Sequence, residues 1–157
     1  MTESPGVKLN QIYPSPSAET QTDVDIITVH GMDTKSPDTW IWKSQTPNES
    51  DVNWFSDENM LSSKVGAARI FTCDWPAKML QQSDSLPKVL KEFARLLLDR
   101  IQNMPRPEAS DSQTRGRPIL FITSCLGGII LMEAFSLPIT QEYLLSAQKS
   151  HSWCYFP

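Results

Sequence analysis

The residues best suited to chemistry sit where two strand-like runs end. Pro118-Ile119-Leu120-Phe121-Ile122-Thr123 is an apolar, β-branched run that passes directly into Ser124-Cys125-Leu126-Gly127-Gly128. The next seven residues, Ile129–Phe135, are almost wholly apolar and read as a helix. A nucleophile between small residues, held where a strand turns sharply into a helix, is the nucleophile-elbow pattern. The tight turn strains the nucleophile's backbone, and small neighbours avoid collision. The helix N-terminus then turns its free N–H groups and positive dipole end toward the nucleophile. Here the central residue is Cys125, with Ser124 before it and Gly127 and Gly128 behind it. A thiol at a helix N-terminus can be ionised more readily and attack a carbonyl. Cysteine is equally a residue type often buried and inert, so the pattern keeps both readings open. Ser124 is the weaker nucleophile candidate, because choosing it shifts the glycine register by one.

The second end is Val29-His30-Gly31-Met32. In a fold that brings it beside the elbow, His30 and Gly31 shape a loop. The amide of Met32, with that of Leu126, could then hold a developing oxyanion. His30 also fits as a merely packed residue at a strand end. It precedes the elbow, whereas in this arrangement acid and base follow the nucleophile along the chain. After Cys125 the only histidine is His151 and the only acids are Glu133 and Glu142. Glu133 lies eight residues along the helix, ~12 Å from the elbow. None of the three follows a later strand, so no base–acid pair accompanies the nucleophile.

The elements that must position these residues follow from periodicity. Val24–Val29 reads as a strand buried on both faces, and Ala68–Cys73 as a second strand. Leu86, Val89, Leu90, Phe93, Leu97, Ile101 and Met104 form one apolar stripe of helical period, with Ser85 as N-cap and Pro87 in the first turn. A helix over about 54–65 is expected, and a further short one over 140–149. Trp40 and Trp42 are expected to pin the intervening loop to the core. Residues 1–22, rich in Pro, Ser, Thr and Gln, read as a disordered tail, and 23–157 as the folded domain. Strands alternating with helices imply an α/β three-layer sandwich with a parallel sheet, its site at the strands' carboxyl ends.

Composition narrows the class. Fourteen Lys and Arg against 18 Asp and Glu give a net charge of −4 in 157 residues. That balance argues against nucleic acid as a partner. Three cysteines, widely spaced, form neither a disulfide framework nor a Cys-x-x-Cys metal site. No phosphate-binding glycine loop with Lys-Ser or Lys-Thr occurs, and neither metal nor cofactor is expected. No apolar run approaches the ~18–20 residues of a membrane span, and the N-terminus lacks a signal-peptide pattern. A cytoplasmic protein is expected.

Asp25-Ile26-Ile27-Thr28-Val29-His30-Gly31 resembles the first strand and oxyanion loop of lipase-like α/β-hydrolases. Arg117 to Leu131 resembles their elbow strand and helix, and Ala68–Cys73 a preceding strand. The resemblance covers about residues 24–147. It is nearest to the serine-esterase-like domains at the head of fungal multidomain proteins, before nucleotide-binding oligomerisation modules and ankyrin or tetratricopeptide repeats. Those are similar to a mitochondrial and endoplasmic-reticulum serine-active-site family. The resemblance implies a partial α/β-hydrolase fold, an ester or lipid substrate, protein partners or downstream domains in a longer parent, and a mitochondrial or endoplasmic-reticulum membrane association as the alternative location. The family places His-Ser-Leu-Gly-Gly at the elbow, where this chain has Ser124-Cys125-Leu126-Gly127-Gly128. The family's later strands, acid and base have no counterpart, which implies a C-terminally truncated, catalytically impaired hydrolase. The alternative is a hydrolase-like module that binds or signals without catalysis.

Overall fold

The computed structural model describes residues 6–16, 21–32, 34–76, 85–105, 118–138 and 140. In chain order the elements are β1 (Lys8–Tyr13), β2 (Val24–Val29), α1 (Ser36–Thr39), β3 (Ile41–Trp42), β4 (Val52–Asn53), α2 (Leu61–Val65), β5 (Ala68–Asp74), α3 (Leu86–Gln102), β6 (Ile119–Thr123) and α4 (Leu126–Ser136). Four strands form one sheet in the order β1-β5-β2-β6, and β3 and β4 pair separately. β2 runs parallel to both β5 and β6, whereas β1 is antiparallel to β5. The architecture is therefore α/β with a mixed sheet.

Alternation along the strands divides the core in two, because successive side chains point to opposite faces. Ile27, Val29, Phe71 and Cys73 face α3 and α4, packing with Leu90, Phe93, Leu97 and Ile130. Ile26, Ala68 and Ile70 face the other way and pack on Phe55, with Trp40, Leu61 and Val65 around them. Both faces are covered, as the lack of polar alternation in β2 and β5 requires.

One charged pair lies inside this packing. Asp25 and Arg69 are register partners on β2 and β5. The guanidinium grips the carboxylate with two bonds, Nε to Oδ1 at 2.7 Å and Nη2 to Oδ2 at 2.8 Å. Nη1 donates to the Pro105 carbonyl at 2.7 Å, just beyond α3, and the guanidinium carbon lies 5.1 Å from the centre of the Phe71 ring. The fork thus joins two strands to the segment that leaves α3.

Several sequence-based expectations need correction. The segment read as a disordered tail contains β1. Val7 is buried and Leu9 packs beside it, while Lys8 and Asn10 are exposed. An edge strand with one buried face needs few apolar residues, so its composition looked tail-like. Because β1 is antiparallel, the sheet is not the all-parallel one expected. The helix over 54–65 shrinks to the five residues of α2, preceded by turns. Trp40 does anchor its loop, with its ring 4.9 Å from that of Phe55, but Trp42 is exposed. Ser85 occupies the N-cap of α3 without a capping side-chain bond. Finally, α4 buries Gly127, Ile130 and Ala134 but leaves Ile129 and Met132 exposed. The helix expected over 140–149 lies outside the described residues, apart from Thr140. No described helix is long and apolar enough to cross a membrane.

Breaking the buried pair from one side should be costly, because the Asp25 carboxylate would stay buried without its counter-charge. Arg69→Met is expected to lower unfolding free energy by about 3–5 kcal/mol in urea titrations. The double variant Asp25→Leu/Arg69→Met should lose less than Arg69→Met alone. Equal or greater loss in the double variant would disprove the account.

Candidate active site

β2 and β6 run in parallel register from Asp25↔Ile119 to Val29↔Thr123, so their carboxyl ends finish side by side. The chain leaves β6 through Ser124, whose N–H donates to the Val29 carbonyl at 3.0 Å. Cys125 follows with φ 50° and ψ −122°, and α4 starts at Leu126. Among the described non-glycine residues only Asn48 and Cys125 have positive φ. Asn48 lies in an exposed turn, and asparagine tolerates that region. Cysteine has no such tolerance, and a side chain held there stores of order 1–3 kcal/mol of strain.

Two glycines enforce the turn. A Cβ at Gly127 would lie 2.5 Å from the Val29 carbonyl oxygen and 2.7 Å from that of His30, so only glycine lets α4 sit on the end of β2. A Cβ at Gly31 would lie 2.8 Å from the Cys125 Cβ and 3.6 Å from its Sγ. The loop after β2 therefore passes directly beside the thiol. Gly128 is less constrained, with the Thr123 hydroxyl 3.3 Å from where its Cβ would be. The amides of Gly127 and Gly128 donate back to the carbonyls of Ser124 and Cys125 at 3.0 and 3.1 Å, which closes the first turn. Leu126, half-buried, packs against the cluster under α3.

His30 is 2% exposed and committed to its own loop. Its Nδ1 lies 2.8 Å from the Gly31 carbonyl oxygen, which can only accept, so the proton sits on Nδ1. Nε2 faces the Trp75 amide at 3.5 Å, and the two rings stack at 5.3 Å. The Trp75 indole N–H donates to the His30 carbonyl at 2.9 Å, and the Thr34 hydroxyl donates to the Gly31 carbonyl at 3.2 Å. These bonds fix the loop that presents Gly31 to the thiol. Trp75 and Thr34 were not singled out from sequence; the aromatic directly after β5 was the signal for the first. Met32, the next residue, is exposed.

The structure thus brings together Cys125, Gly31, Gly127 and Ser124 and holds His30 beneath the loop. It does not bring Glu133 to the thiol, since that residue is eight positions along α4, half-buried. Glu142 and His151 lie outside the described residues. Among the described residues, no cluster of His, Cys, Asp and Glu suits a metal ion. Two described cysteines contrast sharply. Cys125 is exposed, whereas Cys73 is 1% exposed and its thiol is pushed up to about 12 by burial, with Asp74 adding to the shift. No family model, curated protein or solved structure matches the chain.

Two measurements follow. Replacing Cys125 by glycine should relieve the positive φ, so Cys125→Gly should be more stable than Cys125→Ala by ~1 kcal/mol in denaturant titration. Equal stability would mean that the turn carries no strain. In native protein at pH 8, iodoacetamide should modify Cys125 and leave Cys73 unmodified by peptide mapping. Burial raises the Cys73 pKa from 9.0 to about 12, so the unfolded chain releases this proton first. Its contribution to stability is therefore complete below about pH 9 and is lost as pH rises toward 12.

Proposed function

We propose that the chain carries a thiol version of the lipase/esterase-like elbow and accepts acyl groups from esters onto Cys125. The observation that carries this reading is the Cys125 backbone, at φ 50° and ψ −122° on the N-terminus of α4. A non-glycine residue is kept in that conformation by the seat of Gly127 on β2 and by the approach of Gly31. Strain of this kind, maintained by surrounding packing, is characteristic of functional positions. A nucleophile displayed on a strand-to-helix turn, rather than packed away as Cys73 is, fits the resemblance to α/β-hydrolases drawn from the sequence.

In this reading the Cys125 thiolate attacks the ester carbonyl carbon. The carbonyl oxygen takes the negative charge and is stabilised by the amides of Leu126 and Met32. Collapse expels the alcohol portion as an alkoxide, which takes a proton from water and leaves a thioester on Sγ. Water then hydrolyses the thioester, releasing the carboxylic acid and regenerating the thiol. That second step needs a base to activate the water. The only described histidine, His30, has both ring nitrogens turned to the main chain. The reading is therefore of an impaired enzyme, quick to acylate and slow to turn over. The same engagement of His30 favours a second reading, a hydrolase-like module that binds an ester or a protein partner without catalysis.

Mixing the protein with p-nitrophenyl butyrate separates them. The first reading expects a burst close to one equivalent of nitrophenolate per chain, then slow turnover, with the acyl mass on the Cys125 peptide. Cys125→Ala should abolish the burst. A burst that survives Cys125→Ala, or no acyl adduct in the wild-type chain, would refute acylation and leave the binding reading.

A further inference from the structure

The loop after β2 contains a peptide that is held along one edge and free along the other. Gly31–Met32 is a trans peptide, so its C=O and N–H point in opposite directions within one plane. The Gly31 carbonyl oxygen accepts two bonds, from His30 Nδ1 at 2.8 Å and from the Thr34 hydroxyl at 3.2 Å. The same hydroxyl lies 3.5 Å from His30 Nδ1, so the three groups form one cluster. The Met32 N–H, on the opposite edge of the plane, therefore points away from His30 and Thr34. Among the described residues it has no hydrogen-bond partner, and neither has the Leu126 N–H on the first turn of α4. The amides of Ser124, Gly127 and Gly128, by contrast, donate to the carbonyls of Val29, Ser124 and Cys125.

Residue 31 cannot hold this plane by itself. It must be glycine, because a Cβ there would lie 2.8 Å from that of Cys125. Glycine has no side chain to restrict the peptide that follows it, so that peptide turns at low cost. His30 and Thr34 supply the restraint that glycine lacks. His30 is buried and stacked on Trp75, with ring centres 5.3 Å apart. Thr34 is the exposed half of the clamp, three residues along the chain from the carbonyl it holds.

We propose that Thr34 is a positioning residue for acylation. By holding the Gly31 carbonyl it keeps the Met32 N–H turned toward the ester oxygen that gains charge when Cys125 attacks. The proposal rests on the acylation reading of the elbow and adds the residue that sets one of its two oxyanion donors. The Thr34 hydroxyl exchanges no proton with substrate; it acts through one peptide plane. Oxyanion donors are effective because they are fixed before charge develops, and a donor that must first rotate loses part of that advantage. Removing such a donor outright slows acyl transfer by about 10²–10³, so freeing one to rotate should slow it less.

The test compares two reactions of the same thiol in the full chain. Acylation by p-nitrophenyl butyrate puts negative charge on the carbonyl oxygen under attack. Alkylation by iodoacetamide displaces iodide from a saturated carbon and needs no oxyanion donor. Thr34→Val keeps the branched shape and removes the hydroxyl. It should slow the nitrophenolate burst by about tenfold while Cys125 alkylation keeps its wild-type rate. Thr34→Ser returns the hydroxyl and should restore the burst rate. Three outcomes overturn the proposal. In the first, Thr34→Val acylates as fast as the wild type, which leaves the acylation reading intact and removes Thr34 from it. In the second, both reactions slow equally, or Thr34→Ser stays as slow as Thr34→Val, which assigns Thr34 to loop stability alone. In the third, the wild-type chain gives no burst, which overturns the acylation reading and the role that rests on it together.

Discussion

Everything at the elbow depends on how closely the first turn of α4 sits on the last peptides of β2. With a hypothetical Cβ at 2.5 Å from the Val29 oxygen, Gly127 has no room for any side chain. That contact sets the depth of the helix, and the depth fixes the turn that Cys125 must make to connect β6 with α4. The positive φ of Cys125 is thus a consequence of packing and is not a local preference of cysteine. Gly31 completes the constraint from the opposite side, since a larger residue there would displace the thiol carbon. Two glycines from different parts of the chain therefore impose one unfavourable backbone conformation on a third residue.

The surroundings also sort the thiols. Cys73 and Cys125 lie at the carboxyl ends of β5 and β6, both beside β2. One points into the apolar layer under α3, where burial disfavours the thiolate. The other stands on the turn beyond its strand, exposed. The difference arises from a single step of chain geometry: Cys73 is still within its strand and faces the core, whereas Cys125 lies two residues past Thr123. Of the two described thiols, only the one at the elbow is open to solvent.

Much of this was legible in the residues. The strand-like runs at Val24–Val29, Ala68–Cys73 and Pro118–Thr123, the stripe on α3 and the Cys-Leu-Gly-Gly turn are local patterns, and local patterns survive tertiary context when they are long and regular. The positive φ of Cys125 was anticipated by the glycines after it. β1 was missed because Lys-Leu-Asn-Gln-Ile-Tyr buries only one face and is held by pairing with β5, 55 or more residues away in sequence, which no local pattern records. α2 fell short because Trp54 and Phe55 are held by turns and ring contacts rather than by helical hydrogen bonds. The role of Trp75 was hidden for the same reason: its indole N–H reaches the His30 carbonyl only once β2 and β5 are side by side, whereas Thr34 acts within its own loop, three residues from Gly31.

That dependence explains why a buried ion pair at one end of the sheet matters to a turn at the other. Asp25 and Arg69 are partners at the amino ends of β2 and β5, and Val29 and Cys73 are partners at the carboxyl ends, four residues later. Four residues of strand span about 13 Å, so no side chain of the pair reaches the site. Yet a slip of one residue between parallel strands would turn every core side chain to the wrong face and move the ends out of line. Trp75 would then miss the His30 carbonyl, and the loop carrying Gly31 would lose its fixed position. The fork of Arg69 on Asp25 is specific in direction and length, which apolar contacts between β-branched residues are not. It therefore reinforces the register that the buried side chains of β2 and β5 already favour, and the geometry around Cys125 inherits that choice.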